Sequence, residues 1–170
     1  MRYIQFIILF LLTISLPALS YTIGTGDVLR VEVYGEPELA LDLKVDSKGF
    51  IEYPFIGKLQ VKEETVDSIK QEIVLMLKDG YFVNPHVTVA IKQYKPYYIQ
   101  GEVRSPGSYP YEVGMTIRRA IAMAGGLTER ASKKKIYLTH ANSGTSKEIK
   151  VDINASVLSG DVILIKESFF

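Results

Sequence analysis

The 170-residue chain contains no cysteine, so it can form no disulfide, offers no thiol nucleophile and has no residue to carry the lipid of a lipoprotein. Histidine is scarce as well. His86 and His140 lie far apart, and neither has a second histidine or a cysteine at metal-ligand spacing, so no zinc site is expected. No Gly-x-Ser-x-Gly elbow, phosphate loop or dinucleotide fingerprint occurs, and the Gly24-Thr25-Gly26 turn leads into a strand where a phosphate site needs a helix. Charge of one sign is also missing: 20 Lys and Arg stand against 19 Asp and Glu, and they balance once Arg2 is set aside with the first 20 residues. Such a chain exerts no long-range pull on nucleic acid or anionic lipid, and no nucleic-acid partner is expected. Its acids read as solvated surface, so neither enzymatic activity nor a cofactor is expected. Past residue 20 no apolar run approaches bilayer-spanning length, and the alternating stretches are too short for a transmembrane barrel.

Residues 1–20 are a unit apart. Arg2 precedes an almost unbroken apolar run from Ile4 to Leu16, and Pro17-Ala18-Leu19-Ser20 places small residues where a signal peptidase reads. A secretory signal peptide cleaved before Tyr21 is the expectation. An uncleaved membrane anchor is the alternative, disfavoured by the shortness of the run.

From Tyr21 the chain opens with a Gly-Asp turn at Gly26 and Asp27, then alternates through Val28, Leu29, Val31 and Val33 as a strand. An Asp after Gly in a turn ordinarily accepts from backbone amides, and Asp27 is read so rather than as catalytic. Glu36-Pro37-Glu38-Leu39 reads as a proline-containing loop. Pro54 cannot donate to a ladder, which places the strand around Tyr53 to Ile56 at an edge or a bulge. A helix follows from Thr65 as N-cap to Leu77, with Val66, Ile69, Ile73 and Leu77 on one side. Val87, Val89 and Ile91 alternate in the next strand.

The richest stretch runs from Tyr98 to Thr128. Gly101 and the turn residues Ser105-Pro106-Gly107 predict a short hairpin, resumed at Tyr109 and Tyr111. Thr116 predicts a helix cap, Ile117, Ala120, Ile121 and Ala124 recur at helical spacing, and Gly125-Gly126 supplies the stop. Lys133-Lys134-Lys135 follows, then strands at Ile136–Leu138 and Glu148–Ile153, a polar turn at Asn142-Ser143-Gly144 between them, and a second Gly-Asp-Val at Gly160-Asp161-Val162 that begins the last strand. The lysine run could bind acidic sugars or phospholipid headgroups, though a solvated turn is the plainer reading. The eleven tyrosines could stack on sugar rings, or simply pack half-buried in strands.

G-E-V-x-x-P-G-x-Y followed by a helix and A-G-G-L-T resembles the soluble-ligand-binding β-grasp module of bacterial polysaccharide export proteins. The tyrosine and Gly-Asp-Val of the start, the Val45–Gly57 stretch and the Asn-Pro followed by V-x-V-x-I resemble that family's polysaccharide export domain. The resemblance implies an α+β protein, with an export domain over 21–94 and one β-grasp domain over 95–170. It implies a homo-oligomeric ring in the periplasm, associated with the outer membrane, that passes an exopolysaccharide or capsule chain outward and works with an inner-membrane polysaccharide copolymerase. Oligomer or polymer contacts are expected at Tyr53, Phe55, Glu102, Arg104 and Tyr109. Many relatives carry a lipid anchor or a bilayer-spanning terminal helix, and neither is visible in this sequence. The expectation is therefore docking beneath a separate outer-membrane β-barrel, with Phe169 and Phe170 as the docking point or folded back on their own domain. A soluble periplasmic carbohydrate-binding adaptor without a pore is the alternative.

Overall fold

A computed structural model describes residues 21–141 and 147–168. The signal-peptide reading, the Asn142-Ser143-Gly144 turn and the Phe169-Phe170 end fall outside the described residues. The fold is α+β, built around two hydrophobic cores.

In the first, β1 (Val28–Val33) is the middle strand of an antiparallel sheet between β2 (Glu36–Lys44) and β5 (Val87–Gln93). Alternation sends Leu29, Val31 and Val33 inward with Val87 and Val89. The hairpin β3 (Phe50–Tyr53) and β4 (Gly57–Gln60) and helix α1 (Val66–Lys78) close this core. Thr65 caps α1 by accepting from the Ser68 amide, and the helix buries Ile69, Ile73 and Leu77, each stabilising by about 1.5–3 kcal/mol.

Two local expectations are amended here for tertiary reasons. Glu36-Pro37-Glu38-Leu39 is not a loop but the start of β2, where Glu36 pairs with Val33 and Leu39 is buried. The strand expected around Tyr53 to Ile56 does lie at an edge, with β4 as its partner in a two-stranded sheet, but it stops short of Pro54. Tyr53 ends β3, and Pro54-Phe55-Ile56 forms the turn into β4, where a missing amide donor costs nothing.

The second core lies under a five-stranded mixed sheet in the order β7-β6-β10-β8-β9. β6 (Tyr97–Gly101) and β10 (Val162–Glu167) are parallel, while β7 (Gly107–Tyr109), β8 (Ala131–Thr139) and β9 (Ile149–Lys150) pair antiparallel. Helix α2 (Ile117–Met123), capped by Thr116 accepting from the Arg119 amide, shares the core with Ile99, Ile136, Leu138, Ile163 and Ile165. Gly125 and Gly126 follow it at φ 79° and 92° as the expected stop. Strand lengths depart from expectation at two places. The lysine run is no turn but lies within β8, and β9 is only two residues long.

Candidate functional site

The β6–β7 hairpin is held at its base by contacts distant in sequence. Gly101 has φ 83°, and a Cβ there would come 2.0 Å from the Ile165 carbonyl oxygen, so only glycine fits. The next residues lean on the α2 stop: the Arg104 amide donates to the Gly126 carbonyl and the Ser105 amide to the Ala124 carbonyl. A Cβ on Gly125 would stand 3.3 Å from Arg104 Cβ. Glu102 accepts from the Thr128 hydroxyl, while Arg104 is exposed. Pro106 lies in the connection and Gly107 already in β7, both exposed. Tyr109 donates its hydroxyl to the Ser105 carbonyl at 2.6 Å and stacks on buried Tyr97 at 6.0 Å. The hairpin is thus a braced projection carrying Arg104 outward.

A second projection is the β3–β4 turn. Phe55 sits at φ 68°, unusual for a bulky residue, and is 56% exposed. Its ring meets Tyr81 at 5.2 Å and Phe82 at 6.2 Å, and an open cleft lined by Phe55, Ile56, Met76, Asp79 and Tyr81 runs beside it. Tyr53, expected as a contact, is instead 1% exposed. Its hydroxyl donates to the Leu39 carbonyl, and burial pushes the phenol up to about 12. The period-two alternation of β3, which sends Ile51 and Tyr53 inward together, could have shown this.

A third feature joins the two cores, and most of its residues were not singled out from sequence. Asp27 is fully buried, and its carboxylate accepts from the Tyr21 hydroxyl at 2.7 Å, the Gly24 amide at 2.8 Å and the Lys95 amide at 2.7 Å. The Tyr21 hydroxyl also lies 3.1 Å from that of Ser159. Burial, and after it the hydrogen bond to Asp27 and that group's charge, holds the Tyr21 phenol well above its ordinary value, so it remains a proton donor. Asp161 repeats the arrangement at the other turn: it is buried, accepts from the Leu158 amide three residues back and lies 3.0 Å from His140 Nδ1. Both turn glycines, Gly26 at φ 92° and Gly160 at φ 83°, face the aliphatic stem of Lys95. Tyr21, Tyr94 and Tyr111 complete the junction edge to face, at 4.9 and 5.4 Å.

Among the described residues no cluster of His, Asp and Glu could hold a metal, and no helix is long and apolar enough to cross a membrane. The molecule thus has two cores, two exposed turns and a buried junction between the cores. Residues 16–92 match the family model described as polysaccharide biosynthesis/export protein, and residues 96–150 match that of the SLBB domain. The chain belongs to the polysaccharide export family, as an export domain followed by an SLBB β-grasp domain. Similar proteins include the exopolysaccharide production protein ExoF of Rhizobium meliloti, 28% identical over 86% of this chain and 38% of the relative. The EPS I polysaccharide export outer membrane protein EpsA of Ralstonia nicotianae is 29% identical over 72% of this chain and 39% of its own length. The polysialic acid transport protein KpsD of Escherichia coli is 28% identical over 72% of this chain and 22% of its own. The chain therefore spans less than two fifths of the length of these relatives.

Proposed function

We propose that this protein acts in the export of an exopolysaccharide or capsular polymer across the bacterial envelope, as the subunit of a homo-oligomeric ring through which the chain passes. The observation that carries the reading is the tandem of export and SLBB domains, shared with relatives named for production, export and transport of polysaccharides. Two features of the molecule support it. The buried Asp27 carboxylate ties the two cores together through the Lys95 amide, and two exposed turns stand ready for contacts between neighbours. In this reading subunits close by heterologous contacts, and the polymer slides along a wetted surface without covalent chemistry. Phe55, Glu102, Arg104 and Tyr109 are the proposed contact residues; Tyr53, buried and bonded to the Leu39 carbonyl, is not among them. The setting is the periplasm, in association with the outer membrane and an inner-membrane copolymerase.

Deleting the protein and measuring cell-surface polymer tests this reading. Loss of surface polymer with accumulation inside the envelope is expected. Unchanged surface polymer would end the export reading. If export is lost but the purified protein is monomeric with sugar bound, the pore-free adaptor is the correct form.

A further inference from the structure

The helix-free face of the five-stranded sheet is not used by the ring contacts above. Tyr97, Ile99, Ile136, Leu138, Ile163 and Ile165 all point into the core, so the alternate positions point away from α2. The register places Tyr98 beside Val162, and Tyr137 between Leu164 and Lys150. Tyr98 is 39% exposed, and the ammonium of Lys166 lies 4.2 Å over the centre of the Tyr137 ring. Lys150 and Lys166 are exposed, and Lys135, on the same side, donates to the Glu167 carbonyl. Lys133 and Lys134 are exposed beside the bulge where β8 leaves β10. Glu148 lies 3.4 Å from Lys166 in an exposed pair that contributes little.

The charge of the whole chain is divided in the same sense. Residues 21–94 hold eight Lys and Arg against twelve Asp and Glu, and residues 95–170 hold eleven against seven. The near-neutral total therefore hides a basic half, and this sheet face lies on it.

We propose that this face binds an acidic polysaccharide, its carboxylate groups taken by Lys150, Lys166 and the neighbouring lysines and its sugar rings laid on Tyr98 and Tyr137. The chemistry matches part by part. A tyrosine face accepts the C–H side of a sugar ring, and the Lys166 ammonium, which covers the Tyr137 ring in the free protein, swings off it to meet a carboxylate on that sugar. The two tyrosines are two strands apart, about 10 Å across the sheet, which suits a polymer running across the strands. A neutral glucan offers these ammonium groups no counter-charge. The inference rests on the export reading and adds the class of polymer.

The test uses protein from residue 21 onward, titrated with polygalacturonate, with dextran and with phosphatidylglycerol vesicles at low and physiological salt. Expected are binding of polygalacturonate that weakens at least tenfold as salt rises, no binding of dextran, and at least tenfold weaker polygalacturonate binding by Lys150→Glu/Lys166→Glu at an unchanged melting temperature. Tyr137→Ser, on the open face, should weaken polygalacturonate binding while leaving polyglutamate binding unchanged. Dextran binding as tightly as polygalacturonate, vesicles binding in its place, or wild-type affinity in the double lysine variant would each overturn the proposal. If deletion of the protein abolishes export while polygalacturonate does not bind, this inference alone falls. If deletion leaves export intact, the export reading falls whatever the titration gives.

Discussion

Asp27 shows how much one side chain can hold together. Asp27→Ala leaves the Tyr21 hydroxyl and the Gly24 and Lys95 amides without their acceptor in a buried site, and each unsatisfied buried donor costs about 1–3 kcal/mol. The variant is expected to melt well below the parent. Asp27→Asn, which keeps one acceptor oxygen for Tyr21 and Gly24 but sets its amide against the Lys95 N–H, should lose less. Equal melting of all three proteins would show that the junction does not bear on stability. By contrast, Asp42, exposed between Arg30 and Lys92, should tolerate Asn with little change in melting temperature. The turn role of Asp27 was legible from Gly26-Asp27-Val28. Its reach to Lys95 was not, because that partner arrives 68 residues later.

Buried phenols add a pH dependence at the same scale. Tyr53 and Tyr97 ionise near 12 in the folded protein, raised from 10.0 by burial. Above pH 10 the unfolded chain loses these protons while the folded chain keeps them, so the unfolded state binds fewer and stability falls as pH rises. Their contribution is complete below pH 10 and is lost between about 10 and 12. Urea midpoints measured from pH 9 to 11.5 should fall, and Tyr53→Phe should flatten the fall. A flat profile in the parent would contradict this.

Among the elements, those set by local chemistry were readable in advance. Thr65 and Thr116 cap the two helices, and Gly125-Gly126 stops the second, because caps and positive-φ stops depend on neighbours within a turn. Elements set by distant partners were not. Pro37 falls in a strand because β1 lies alongside. The need for Gly101 follows from the Ile165 carbonyl, a contact that spacing in sequence does not reveal. Two predictions belong here. Gly125→Val or Gly126→Val should destabilise the β-grasp core by about 1–3 kcal/mol through backbone strain. Gly101→Ala, a smaller side chain, should cost at least as much because its Cβ meets backbone rather than a yielding side chain. Thermal melting of the three variants checks both, and an unchanged melting temperature for Gly101→Ala would contradict the contact.

At the scale of the molecule, the family and the α+β class were legible in the motifs, whereas the surfaces were not. Whether a tyrosine or lysine faces core or solvent depends on strand register, which pairs Tyr137 with Lys150 and Leu164 across three strands. The exposed tip at Phe55, Tyr81 and the fully exposed Val83 is an apolar surface of the kind that protein contacts cover. Phe55→Asp, at the solvent-facing turn, should leave the monomer folded while weakening self-association. Unchanged assembly would remove the β3–β4 turn from the proposed contacts.

In the function we propose, copies of this protein close into a ring. Light scattering on the purified protein from residue 21 onward measures the assembled mass directly. A single species of several protomers, constant over a wide range of protein concentration and shifted to monomer by Phe55→Asp, is the predicted result. A monomer at every concentration, with polysaccharide export in cells intact, would contradict the ring and leave the pore-free adaptor in its place.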